Sequence, residues 1–254
     1  NITWTISQLR NAGRYAGEET NQQTEYKLPT EIRNGLGDWM ANKRDIAIFD
    51  AIAVAPSKVY LVNDRASTAT IAAGDLMTLQ QFVRAKVYAI STAYPKLPPI
   101  KIAKVGEKTV YRYVGLMHDH VAYDLSMNDP VYQQTVRDAG VRGNDNPMFT
   151  GALIDYMGML LHAHDNCPIS TTWGALAVTP GAESYLLGRQ AVIVGIGGYK
   201  IQGKNGYLKW VEKRFDYENQ FGVAVGIIKG EAKSVFNSLD FSVVAIRSSR
   251  TNIA

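Results

Sequence analysis

Between residues 28 and 54 the apolar side chains Ile32, Leu36, Trp39, Met40, Phe49 and Ile52 recur at spacings that keep most of them on one helical face. Pro29 with Thr30 marks the start of the pattern and Pro56 its end. The reading is a single helix of about 25 residues, ~37 Å long, which is the width of a small domain. Whatever the chain folds into must be built along that rod. Gly35 and Gly37 within it each cost ~1 kcal/mol relative to Ala, so tertiary packing has to hold that turn. Trp39 is expected to be buried against a sheet.

The flanking sequence supplies such sheets. Ile2-Thr3-Trp4-Thr5-Ile6 alternates as a half-buried strand, followed by a polar connector over residues 11–24. A second helix is expected from Asp75, read as its N-cap, through Leu79, Phe82, Val83, Val87 and Ile90. Tyr94-Pro95-Lys96-Leu97-Pro98-Pro99 stops it, and a domain junction is expected there. Residues 100–103 and 109–116 read as a hairpin, and Asp129-Pro130 opens a helix to about residue 139. A polar loop follows over 140–146. Residues 157–164 read as a strand, 182–194 as a helix, and 207–215, 222–228 and 241–246 as strands. The class is mixed α+β with an antiparallel sheet.

A chain of 254 residues and 28.0 kDa removes roughly 29,000 of about 40,000 Å² from water on folding, enough to need neither metal nor disulfide. Its single cysteine, Cys167, excludes an internal disulfide and fits a reducing compartment. Lys and Arg total 27 against 23 Asp and Glu, a net charge of +4, and they are scattered, with Lys209, Lys213 and Arg214 the densest group. That pattern argues against a dedicated duplex reader. The longest strongly apolar stretch, residues 191–196, is far short of the ~20 residues a membrane helix needs, so no membrane partner is expected. A chain beginning at Asn1 is expected to be processed or to lack an upstream segment.

The four histidines fall in two short pairs, His118-Asp119-His120 and His162-Ala163-His164. On strands, residues two apart share a face, so each pair could offer two imidazoles to one metal ion, the sharpest enzymatic reading. The alternative is strand-end histidines satisfied by the backbone. Gly195-Ile196-Gly197-Gly198 follows a helical pattern and precedes a strand, which reads as a helix C-cap rather than a phosphate loop. Cys167 with His164 nearby could be a nucleophile pair or simply a loop thiol, and Glu18-Glu19 reads as solvated. No catalytic constellation and no cofactor site emerge.

Three segments carry a resemblance. Val114-Gly115-Leu116-Met117-His118-Asp119-His120, with Tyr123-Asp124-Leu125 after it, is similar to a strand ending in His-Pro-x-Gln and then Asp-Leu. Met148-Phe149-Thr150-Gly151-Ala152-Leu153, then Tyr156-Met157-Gly158 and Leu161-His162-Ala163-His164, follows a Phe-Thr-Gly pattern running into a Gly-containing strand. Phe215-Asp216-Tyr217-Glu218-Asn219, Val225-Gly226-Ile227-Ile228-Lys229-Gly230, and Phe236-Asn237 with Asp240-Phe241 are similar to C-terminal Asp-Tyr-Gly-Asn and Phe-Asn-x-x-Asp-Phe-Gly segments. These are patterns of tailed-phage major capsid proteins, and the chain resembles the N4-like podophage group over nearly its whole length. It departs from them at Asp119, Glu218 and Ser242.

The resemblance implies an α+β, Hong Kong 97-like capsid fold with a long spine helix. Residues 1–26 would be the end of an extended loop and a connector, 27–97 a peripheral domain with the spine helix, 98–214 an axial domain of mixed sheet and helices, and 215–254 strands returning to the peripheral domain. It implies a non-enzymatic protein whose partners are itself, as hexamers and pentamers, together with portal, scaffold and decoration proteins. Packaged double-stranded DNA would lie on the inner face without sequence readout, and the virion capsid would be assembled in the host cytoplasm. The alternatives are a metal-dependent enzyme using the paired histidines and an encapsulin-like cargo shell.

Overall fold

The apolar period over residues 28–54 becomes one helix, Leu28–Ala53, in a computed structural model that describes residues 5–105, 108–141, 154–201, 204–206 and 208–252. In chain order the elements are β1 (Ser7–Arg14), α1 (Glu18–Gln23), α2 (Leu28–Ala53), β2 (Val59–Leu61), α3 (Leu79–Val87), β3 (Ile100–Val105), β4 (Lys108–Met117), α4 (Asp119–Asn128), α5 (Pro130–Val141), β5 (Ile154–Tyr156), β6 (Met159–Ala163), β7 (Ile169–Trp173) and β8 (Thr179–Leu187). Then come β9 (Val192–Gly197), β10 (Tyr199–Ile201), β11 (Lys204–Gly206), β12 (Leu208–Phe215), β13 (Gln220–Lys233), β14 (Val235–Phe236), β15 (Leu239–Asp240) and β16 (Val243–Ser249). The chain forms two compact units, residues 1–51 with 192–232, and residues 52–191 with 233–254.

In the first unit β13 is central, with β1 and β12 antiparallel on its two sides and β9 also paired to it. Leu36 and Met40 of α2 pack on Val223, Val225 and Ile227, with Leu9, Ile32, Trp39 and Phe221 alongside. The Arg33 guanidinium donates twice to the Glu212 carboxylate at 2.8 Å and lies over the Phe221 ring at 5.1 Å. Gly35 and Gly37 face open space, so the turn expected to need packing is held by buried Leu36 between them. Trp39, expected buried, is half-buried at the margin of this core.

The second unit holds an eight-stranded mixed sheet in the order β2-β16-β8-β4-β6-β5, with β3 paired to β4 and β7 to β8. Phe82, Leu79, Ala85 and Ala89 from α3 and the π-turn after it fill the core with Met117, Leu161, Leu186, Val244 and Ile246, and α4 adds Val121 and Leu125. Where the chain leaves α2, Lys233 donates to the Val54 and Ala55 carbonyls and pairs with Asp240 at 2.8 Å. Asp240 also accepts from the Ser57 amide at 2.7 Å. The freed carbonyls at the helix end are thus met by a cation, which also suits the dipole there.

The structure corrects several expectations. Residues 5–6 are not strand; the strand begins at Ser7 and runs to Arg14, into what was read as a connector from residue 11, and the rest of the expected 2–6 strand lies outside the described residues. Thr78, not Asp75, caps α3 through the Gln81 amide. Asp75 is instead buried, where desolvation would raise its carboxyl but Arg65, the Ala72 amide and Asn63 hold it below the usual range. The expected helix over 182–194 is instead the end of strand β8, a turn and the start of β9, with Ala182, Ser184, Tyr185 and Leu186 of β8 fully buried. That strand is hydrogen-bonded by β16 on one side and β4 and β7 on the other, and burial on both faces erases the alternation that would betray a strand. The proline cluster does stop a helix, but Leu97 lies in the second unit's core and accepts from the Tyr113 hydroxyl, so the units part elsewhere. The loop expected at 140–146 lies almost wholly outside the described residues.

Glycine is demanded at Gly181, where an added Cβ would sit 1.9 Å from the Trp173 ring. Truncating Phe82, fully buried, should cost ~3–5 kcal/mol, whereas truncating half-exposed Trp39 should cost clearly less. Denaturant midpoints of Phe82→Ala and Trp39→Ala check the order, and a larger loss at Trp39 would contradict the placement.

Candidate functional site

The sharpest chemical candidates, the histidine pairs, are brought to one end of the second unit's sheet. Strands β4 and β6 run parallel with Met117 beside Ala163, and the His164 amide donates to the Met117 carbonyl at 2.8 Å. Sequence spacing gives no hint of this, because the pairing spans some forty residues of intervening chain. The first pair is not on a strand: His118 is the N-cap of α4, its Nδ1 accepting from the His120 amide at 3.1 Å. His120 Nδ1 lies 3.3 Å from the Arg250 guanidinium. His164 Nδ1 accepts from the Asn166 amide at 3.1 Å and lies 3.2 Å from the Asp165 carboxylate.

Three imidazole nitrogens that could bind a metal are therefore occupied by protein donors. Among the described residues no group of three or more His, Cys, Asp or Glu is placed to hold a metal ion. Burial, then His120 and to a smaller extent Arg250, drive His118 toward its neutral form against the opposing pull of Asp119 and Asp165. Cys167 is buried, and burial, with Asp119 and Asp165 nearby, pushes its thiol up to about 12. A thiol that stays protonated at neutral pH is no nucleophile. The Gly195–Gly198 segment is not a helix cap; through Gly197 it belongs to β9, and a Cβ on Gly197 would meet the Ile228 side chain at 2.7 Å.

The surface that sequence reading missed is the outer face of the first unit's sheet. On β13, Val223, Val225 and Ile227 turn to α2, so Gly222, Ala224 and Gly226 turn away. The registers place Arg10 and Lys209 on either side of Gly226, Ala12 and Val211 on either side of Ala224, and Arg14 and Lys213 on either side of Gly222. The Phe215 ring covers Gly222, and the Arg14 guanidinium lies 5.5 Å from that ring's centre. The signal was present as alternation in Arg10-x-Ala12-x-Arg14 and Lys209-x-Val211-x-Lys213, but nothing in the sequence shows that the two runs flank one strand.

A long helix laid on an antiparallel sheet in one unit, and a mixed sheet dressed by helices in the other, define the Hong Kong 97-like phage capsid fold. The chain superposes on the capsid of Ralstonia phage GP4 with a TM-score of 0.80 at 23% identity, covering 98% of this chain and 74% of that one. The capsid of cyanophage Pam1 gives a TM-score of 0.75 at 16% identity, over 97% and 75%. A curated relative, the major capsid protein of Pseudomonas phage KPP25, is 25% identical over 292 residues, covering 95% of this chain and 73% of its own length. Residues 52–251 match the phage capsid protein family, so the chain belongs to that family and serves as a major capsid protein of a phage.

His118 supplies a pH test. Its folded form resists protonation, whereas an unfolded histidine gains a proton near pH ~6.5, so acidification through that value favours unfolding and stability rises again with pH. His118→Asn keeps a capping side chain and removes the titration. The expected result is a smaller fall in melting temperature between about pH 7.5 and about pH 5.5 than in the parent. Equal slopes would contradict it.

Proposed function

We propose that copies of this chain assemble as hexamers and pentamers into a closed icosahedral shell around the double-stranded DNA of a phage of the N4-like group. The observation that carries this reading is superposition of almost the entire chain on a phage capsid at a TM-score of 0.80. The three ordered sequence segments described above support the N4-like assignment. Closed symmetry lets many modest interfaces combine into one stable assembly, so a chain needs no catalytic group to do this work.

In this reading the first unit is the peripheral domain, with α2 as its spine, and the second is the axial domain. The axial domain then begins where α2 ends rather than at the proline cluster, and β16 lies within it. Portal, scaffold and decoration proteins complete the assembly in the host cytoplasm, and DNA is enclosed without base readout. No helix among the described residues is long and apolar enough to cross a membrane. The metal-enzyme reading has no ligand set among the described residues, and the family match favours a phage shell over a cargo compartment.

Negative-stain electron microscopy of the protein expressed in bacteria, with sedimentation velocity on the same sample, tests the proposal. Closed shells or ring-shaped capsomers are the expected result. A uniform monomer that remains so when expressed alongside the phage's other head proteins would refute it.

A further inference from the structure

The face of the first unit's sheet opposite α2 forms a trough of about 470 Å³ with cations along both walls and, among its lining residues, no carboxylate. Arg10 and Arg14 stand four residues apart on β1, and Lys209 and Lys213 four apart on β12, so each wall carries two charges ~13 Å apart. The walls are two strand spacings apart, ~10 Å. The registers set one Arg and one Lys opposite each other across Gly226, and a second such couple across Gly222. Between the two couples lies an apolar row of Ala12, Ala224 and Val211. The four cations are exposed.

We propose that this face seats an extended acidic segment of a protein other than this chain, with carboxylates four residues apart and a small apolar side chain midway between them. An extended chain repeats every ~6.6 Å on one side, so positions i, i+2 and i+4 fall on the cationic, apolar and cationic rows in turn. The 254 residues themselves hold one pair of carboxylates at that spacing, Glu212 and Asp216, and Glu212 is committed to Arg33. These 254 residues therefore do not supply the matching segment. A nucleic-acid backbone fits less well, because it carries a charge at every nucleotide and would set one against the apolar row. A duplex, whose major groove alone is ~12 Å wide, would straddle the trough rather than enter it.

The test uses fluorescence anisotropy on the full chain at low salt, with a labelled Ser-Glu-Thr-Val-Thr-Glu-Ser peptide, its counterpart with Gln for both Glu, and a single-stranded oligothymidine of similar length. The acidic peptide should bind with an affinity that falls as salt rises, and the Gln peptide should bind at least about tenfold more weakly. Arg10→Gln with Lys213→Gln should weaken the acidic peptide by a similar factor without lowering the melting temperature, while Lys101→Gln on the second unit should not. Should the double variant fold poorly, Ala12→Glu, which sets a carboxylate between intact cations, should abolish binding in its place. Equal binding of the two peptides, tighter binding of the oligothymidine, no binding at all, or self-association of the chain that the variants abolish would each overturn the proposal.

Discussion

The first unit rests on a match between two periods. Helix side chains four residues apart rise ~6.0 Å, and strand side chains two apart rise ~6.6 Å, so Ile32, Leu36 and Met40 can follow Val223, Val225 and Ile227 without losing step over several contacts. That seam orders a helix of 26 residues whose own sequence, with two exposed glycines in its third turn, is a poor helix former. Arg33 then fixes position: its two hydrogen bonds to Glu212 and its stacking on Phe221 tie one helix residue to two different strands. A planar, bidentate pair of this kind is selective in geometry even where solvent limits its energy. Glu212 is held down to about 2 by Arg33 and the Trp210 indole, so the pair remains charged across the physiological range.

Much of this was legible from residues alone where the pattern was periodic and one-sided. The long helix, the hairpin of β3 and β4, and the Asp129-Pro130 start of α5 follow from caps, breakers and amphipathic spacing, and Asp129 does accept from the Val131 amide. Legibility failed where burial was two-sided or partners were distant. β8 reads as a helix because Ala, Glu and Leu favour one, while its fate is decided by strands on either side of it in the sheet. α4 was missed because His118 as an N-cap is an unusual choice, visible only once its Nδ1 is seen on the His120 amide. The histidine pairs could not be judged from spacing, since their proximity comes from the parallel pairing of β4 with β6.

Those histidines illustrate how a chemically suggestive sequence resolves into architecture. The Nδ1 atoms of His118, His120 and His164 cap a helix, meet Arg250 and close a turn, and Cys167 beside them is buried and protonated. Parts of the resemblance segments fall at the same places, the ends of β4 and β6 and the long strand β13, while residues 148–153 lie outside the described residues.

The seam between α2 and β13 acts as one cooperative element. Hydrogen–deuterium exchange of the full chain, followed by mass spectrometry, measures this directly in the parent and in Leu36→Ala. Slow exchange is expected for residues 32–49 and 223–227, rising together and by similar factors in the variant while β8 in the second unit is unchanged. Acceleration confined to the helix, with β13 as protected as before, would contradict it.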